Sequence, residues 1–351
     1  MGHTCYYYIK DRDYVIIMVH HFVLTIESLI AVTYSYIKRD NVHFLITNAK
    51  KSFNYNSPSM VSYMKKIVKD KVPIAKKVHY SIVIFPFYVL INDMLYSSME
   101  KYFWGGEYLL LYPIYTALDL ENWFFYCPIL VWEMSVIFFV IVVISGIIGL
   151  ILLVYIHLMI EFSMLEHAIM NMNKIIEEKI EMYSTPKMSE DVKKNIIKKI
   201  QKECMDEIAR HMDDIIIYFN NAKGYLNFIY SNIVVAGIMI TVCTGVICLS
   251  ENQAVRMKFF GIFVVQNIYL YAVCWIGESI ANKSENLRIV LYDIEWWNFP
   301  KSCHMSIRLM LVRLMNPFYF YTFLGQKIQL ETFMDMVKGS YSYFNMIIQS
   351  Q

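Results

Sequence analysis

Three long runs of this sequence contain no Asp, Glu, Lys or Arg: Met134–Ile160, Tyr225–Ser250 and Phe259–Gly277. Each is near or above the roughly 18–20 residues that cross a bilayer as an α-helix. Core helices of soluble proteins rarely stay uncharged for so long, because a soluble fold still needs a charged surface. Composition points the same way. Hydrophobic residues make up 57% and charged residues 18%, against roughly 45–50% and about 25% in soluble domains. The expected fold class is all-α, a polytopic transmembrane helix bundle whose first partner is the lipid bilayer.

Six spans can be drawn: Tyr14–Ile37, Val78–Met99, Met134–Ile160, Tyr225–Leu249, Phe259–Ile280 and Leu330–Ile348. The loops between them differ in charge. The first holds a series of cations that includes Lys38, Arg39, Lys65, Lys66, Lys76 and Lys77, with only Asp40 and Asp70 against them. The second holds Lys101 against Glu100, Glu107, Asp119 and Glu121. Basic loops stay cytoplasmic, so the first loop is expected inside and the second outside. Alternation then places 161–224 and 281–329 inside, and both chain ends outside. An outside N-terminus is awkward here, because no cleavable signal peptide is expected. Tyr14–Ile37 is too long for a signal core and lacks a small-residue cleavage site. Tyr6 stands where a myristoylation signal needs Ser or Thr.

The segment 161–224 is rich in charge, yet its apolar residues recur at helical spacing: Ile196, Ile197, Ile200, Met205, Ile208, Met212, Ile215 and Phe219. Thr185-Pro186 divides it into two expected helices. The polar face mixes acids with lysines instead of being uniformly basic, which favours helices that extend the third and fourth spans into the cytoplasm and pack on each other over a membrane-surface helix.

Several classes of function lose support. The net charge of +2 implies no nucleic-acid partner. The seven cysteines (Cys5, Cys127, Cys204, Cys243, Cys248, Cys274 and Cys303) are scattered, mostly in or beside apolar runs, and have no zinc-ligand spacing. Cys127 alone falls in an expected outside loop. No phosphate-binding glycine loop, HExxH or GxSxG is present, so neither enzyme activity nor a cofactor is expected. Asn316-Pro317-Phe318-Tyr319-Phe320 is near the NPxxY motif of rhodopsin-like receptors. However, Phe320 stands at the tyrosine position, and the motif precedes the last span instead of lying inside it. A transporter would show inverted repeats or broken mid-membrane helices, and neither is visible.

The last span carries the strongest functional pattern. Glu331, Asp335, Lys338, Ser342, Asn345 and Gln349 follow one another at spacings of 4, 3, 4, 3 and 4, which forms one narrow stripe on an α-helix. A polar stripe on a membrane helix faces either protein or water. Burial against neighbouring helices is one reading and the wall of a water-filled pore is the other. One stripe cannot enclose a pore, so the pore reading requires several copies around an axis. In the first span, His20 and Glu27 share a face with His21 nearby; ionisable groups at that depth point into the bundle or a wet cavity.

Three stretches near the C-terminus carry a family resemblance. The first is Gly277-Glu278 with Ser284 shortly after. The second runs from Tyr292 through Trp296 and Trp297 to Pro300. The third is Leu330-Glu331-Thr332-Phe333 followed by Lys338-Gly339-Ser340-Tyr341-Ser342-Tyr343-Phe344. In order and spacing, this ending resembles that of the insect odorant receptors, over roughly the last 75 residues. The resemblance implies seven spans with the N-terminus inside, and an odour-gated, non-selective cation channel. It implies a heterotetramer with a co-receptor subunit, in the plasma membrane of olfactory sensory neurons. Tyr14–Ile37, which leads into the basic inside loop, then fits the second span of the family, and the first is expected to be missing. The implied organisation is a transmembrane bundle with an outer-half ligand pocket over 1–280, a cytoplasmic anchor over 281–329 and the pore-lining helix over 330–351.

By that resemblance the gate and filter positions fall on Met346, Gln349 and Ser350, beside the stripe residues Ser342 and Asn345. Tyr292, Trp296 and Pro300 map to the anchor, where they pack subunits together. No motif locates the pocket for the small volatile odorant. Aromatic and Met walls with a few polar groups suit such ligands. The residue types and depths nominate Met18, His20, Phe87, Tyr88, Ile91, Trp132, Phe138, Phe263 and Gln266. A gustatory receptor of the same superfamily is the alternative, although its Thr-Tyr-hydrophobic ending is absent here.

Overall fold

The computed structural model describes residues 12–104, 123–183, 190–249 and 253–349. Nearly all of them are helical. In chain order the elements are α1 (Arg12–Ile37), α2 (Arg39–Asn48), α3 (Pro58–Trp104), α4 (Trp123–Met170), α5 (Met172–Tyr183), α6 (Glu190–Ile247), α7 (Gln253–Asp293), a 3₁₀ turn (Trp296–Asn298), α8 (Lys301–Leu314) and α9 (Leu330–Gln349).

The long helices run past the expected spans because nothing stops them where the apolar run ends. α4 continues from Ile160 through Glu161 to Met170 with no Gly or Pro to break it. At its other end it starts at Trp123, so Cys127 lies in a helix rather than a loop. α6 has 58 residues, roughly 87 Å at 1.5 Å per residue. Its first half is charged and its second half, from Tyr225, is not. The Thr185-Pro186 break lies outside the described residues; α5 and α6 end and begin on either side of it.

Among the described residues, four stretches are long and apolar enough to cross a membrane: Val15–Ile37 and parts of Phe124–Met170, Lys193–Ile247 and Phe259–Asp293. The expected span Val78–Met99 lies within α3, and α9 coincides with the last one. The chain is a multi-pass membrane protein of all-α fold.

The core is concentrated at the charged end of the bundle, where α6 packs against α2, α4, α5 and α8. Ile200, Met205, Ile208, Met212, Ile215 and Phe219 are all buried there, which explains the helical spacing of these residues in so charged a segment. Each such side chain contributes about 1.5–3 kcal/mol on burial. In the spanning half the pattern inverts. Phe22 and Leu29 on α1, Val142 on α4, Val235 on α6 and Ile268 on α7 are exposed, as a lipid-facing surface requires.

A polar network ties the first loop into the charged end. The Tyr55 hydroxyl and His211 Nδ1 are 2.7 Å apart, and His211 Nε2 and Glu161 Oε2 are 2.8 Å apart. The phenyl ring of Phe53 stacks on the imidazole at 4.5 Å. Burial, together with the Glu207 and Glu161 carboxylates, pushes the Tyr55 phenol well above its ordinary range. The Glu161 carboxylate only accepts, so Nε2–H donates to it, and the Nδ1 of a neutral imidazole then accepts from the Tyr55 hydroxyl. Nearby, Lys179 pairs with Glu207 at 2.8 Å across α5 and α6.

Candidate functional site

α9 leans on α6 and α7 through one face only. Thr332, Met336 and Ser340, spaced four apart, are buried. The Phe333 ring meets Tyr271 of α7 edge-on at 5.6 Å. Further along, the Phe344 ring packs beside Gly245 of α6, where a Cβ would make an ordinary contact at 3.5 Å.

The polar stripe lies on the opposite side. Glu331, Asp335, Lys338, Ser342 and Gln349 are exposed and Asn345 is half-buried. Within this chain, then, the stripe is not buried against neighbouring helices. Met346 is also exposed, whereas Ser350 lies outside the described residues.

The base of α9 is clamped by the residues that carried the resemblance. Gly277 stands where α7 crosses the linker, and a Cβ there would collide with the carbonyl oxygen of Ile328. The next residue, Glu278, accepts the Leu330 N–H at 2.8 Å, which satisfies one of the open donors at the start of α9 and sets an acid at its positive end. Ser284 Oγ accepts the Phe318 N–H at 3.0 Å. From α6, Asn227 Oδ1 accepts the Tyr321 N–H at 3.0 Å and Ser231 Oγ accepts the Phe323 N–H at 2.8 Å. Sequence reasoning passed over Asn227 and Ser231. Their signal was available: two polar residues four apart in an uncharged run.

The residues expected to form the anchor lie at the charged end. Tyr292 and Trp296 are exposed, and Pro300 precedes the first turn of α8. The inward face of α8 consists of Cys303, Ile307, Met310 and Leu314, all buried. Met305, Leu309, Val312 and Met315 point outward and are exposed. A shallow cavity of about 370 Å³, lined by Ile289, Tyr292, Leu311, Val312 and Met315, opens on this outer side.

The nominated ligand residues fall into separate groups. Met18 and His20 are buried near the N-terminal end of α1. There the His20 ring meets Phe259 edge-on at 5.5 Å, beside the small cluster of Ile17, Ile247 and Phe259. Phe259 escaped the sequence reading because it begins an apolar run and has no distinguishing pattern. Phe263 and Gln266 are half-buried one and two turns further along α7, and Phe263 lies near Gly245. Ile91, Trp132 and Phe138 point outward and do not join the His20 group. The side chains of Phe87 and Tyr88 lie outside the described residues. Deeper in the bundle Glu27, Ser28, Asn232 and Tyr269 border a void of about 10 Å³, the size of a single water. Among the described residues no His, Cys, Asp and Glu cluster could hold a metal ion, and the described cysteines are unpaired thiols.

Comparison with known proteins bears on the fold and the family. The fold is similar to that of the insect olfactory receptor OR5 from Machilis hrabei in complex with eugenol. The TM-score is 0.76 and the identity 13%, over 97% of this chain and 81% of that one. A second structure of the same receptor gives a TM-score of 0.72 and 11% identity, over 97% and 82%. At such identities the likeness shows the fold. No curated protein matches the sequence. The pattern of the 7tm Odorant receptor family matches residues 18–341, almost the whole chain, and on that match the protein belongs to the odorant receptor family.

Proposed function

We propose that this chain is the odour-binding subunit of a non-selective cation channel that it forms with a co-receptor, as a heterotetramer in the plasma membrane of olfactory sensory neurons. The observation that carries the reading is the outward polar stripe from Glu331 to Gln349 on a helix of membrane-spanning length. Lipid would leave those groups unsatisfied, and a water-filled axis shared by several subunits would hydrate them. Ser342, Asn345, Met346, Gln349 and Ser350 would then line the conduction path. The apolar outer face of α8, with Tyr292, Trp296 and Pro300, would join the subunits.

The ligand is a small volatile molecule bound in the outer half of the bundle. Eugenol in the similar olfactory receptor supports this class, and the aromatic and imidazole surroundings of Met18 and His20 supply suitable walls. A ligand opens the pore only to the extent that it binds the open arrangement more tightly than the closed one.

The test is co-expression with an insect co-receptor and current recording across an odour panel. Odour-evoked cation currents that persist without GTP are expected. Currents that require GTP, or solute uptake without current, would overturn the reading.

A further inference from the structure

Between α8 and α9 the chain makes a tight hairpin. Tyr321 and Lys327 form an antiparallel bridge. The Thr322 N–H donates to the Gln326 carbonyl at 2.8 Å, and Gly325 supplies a φ of 75° that other residues avoid. The tip is apolar and uncovered, with Phe323 65% and Leu324 85% exposed.

α6 sets the depth of this tip. The Phe323 N–H is held by Ser231, and its ring meets Phe228 edge-on at 5.3 Å. Ser231 lies six residues beyond Tyr225, where the uncharged run begins, or about 9 Å along the helix axis. The tip is therefore at hydrocarbon depth. In the turn the N–H groups of Thr322, Phe323, Gly325 and Gln326 are paired, which lowers the cost of irregular backbone at that depth.

The shoulders of the hairpin are basic and aromatic and lie at the boundary. Lys223 Nζ is 4.8 Å from the ring centre of Tyr321, and Lys327 Nζ is 4.2 Å from that of Tyr319. Ring contacts attract these cations but leave their charge in place. A recess of about 600 Å³ opens beside them, with Asn220, Asn316 and Arg313 on its walls. The one carboxylate lining it, Asp213, is already paired with Arg313. Lys and Tyr at the boundary above an apolar surface match the profile of a phospholipid.

We propose that the hairpin and recess bind an anionic glycerophospholipid of the cytoplasmic leaflet. The phosphate sits between Lys223 and Lys327 and an acyl chain lies along Phe323 and Leu324. The leaflet follows from the expected inside position of the basic first loop. The hairpin leads directly into α9, since Thr332 Oγ1 donates to the Lys327 carbonyl. A lipid here therefore bears on the base of that helix.

The test uses the whole chain, co-expressed and reconstituted in vesicles that contain photoreactive phosphatidylserine or, separately, photoreactive phosphatidylcholine. Phosphatidylserine adducts should concentrate on residues 319–327. Each Lys→Gln change should weaken that labelling about fivefold, more than tenfold in the double K223Q/K327Q variant. K223R/K327R should retain it, and adducts elsewhere should not change, which separates lost binding from misfolding. Equal labelling by both lipids, or none at the hairpin, would overturn the proposal. Loss of the adduct to excess soluble glycerophosphoserine would assign the site to free phosphate compounds and overturn the lipid. The readout needs no odour response, so its failure is distinct from failure of the channel reading.

Discussion

α8 and α9 are neighbours in sequence and opposites in surface. α8 lies at the charged end, where water is expected, and turns Leu309, Val312 and Met315 outward. α9 has the length of a membrane span and turns Glu331, Asp335, Lys338 and Gln349 outward. Each outer face is unsuited to a lone chain. An exposed apolar face in water seeks a partner, and an exposed polar face in lipid seeks water or protein. A symmetric assembly resolves both at once, with α8 buried between subunits and α9 facing a shared axis. Two mismatched faces on consecutive helices indicate more than either would alone.

The comparison can be broken most decisively at α8. Leu309→Glu with Val312→Glu would place two carboxylates inside the proposed subunit interface, at several kcal/mol for each unpaired buried charge. The expected outcome is complete loss of assembly with helical content retained, read from the mass of the purified complex and circular dichroism. Intact assemblies would remove α8 from the interface.

Gly277→Ala should come next in size. The added methyl group meets backbone at Ile328, which cannot swing aside as a side chain can. A loss of roughly 1–3 kcal/mol is expected, visible as a lower thermal midpoint and as weaker odour-evoked current at equal surface expression. An unchanged midpoint would mean that the linker moves freely away from α7.

Gln349→Ala sharpens the α9 half of the comparison. As an exposed substitution it should change stability by less than about 0.5 kcal/mol, while shifting the reversal potential in mixed cations and leaving the order of odour preference intact. An unchanged reversal potential would take Gln349 off the conduction path.

The smallest effect belongs to a surface that needs no partner. Burial raises the Glu178 carboxyl, but donors from Ser57, Ser59 and the Ser59 N–H outweigh it and hold the group below its ordinary value. A carboxylate depressed in this way favours the folded state above the ordinary Glu range, and that contribution is lost as pH falls through its lowered value. Ser57→Ala with Ser59→Ala should therefore reduce stability slightly at neutral pH and narrow the gap to wild type in acid, measured by thermal midpoint against pH. A gap that did not vary with pH would dismiss the charge-dependent role.

The fold was legible where periodicity or charge silence carried it. The uncharged runs located the spanning helices, and the regular spacing of Ile200 to Phe219 marked the buried face of α6. Helix ends were less legible. Glu161 and the residues after it carry no stop signal, so the continuation of the third span was legible but its end at Met170 was not. The stripe on α9 was readable because its spacing is local. The network of Phe53, Tyr55, Glu161 and His211 was not, since its members come from three distant segments and meet only through packing. The same limit applies to the ligand residues. Depth and residue type nominated both His20 and Trp132, and only the fold separates the buried one from the exposed one.

The bond between Glu278 and the first turn of α9 also governs how that helix can move. A rod pinned at one end pivots, and its displacement grows with distance from the pin. Twenty residues make α9 roughly 30 Å long, so a tilt of about 5° carries its far end ~2.6 Å while the clamped base hardly shifts. That distance approaches the width of a water molecule. A small angular change in how α7 leans would therefore widen or close the proposed passage at Gln349 and leave the neighbourhood of Glu331 almost still.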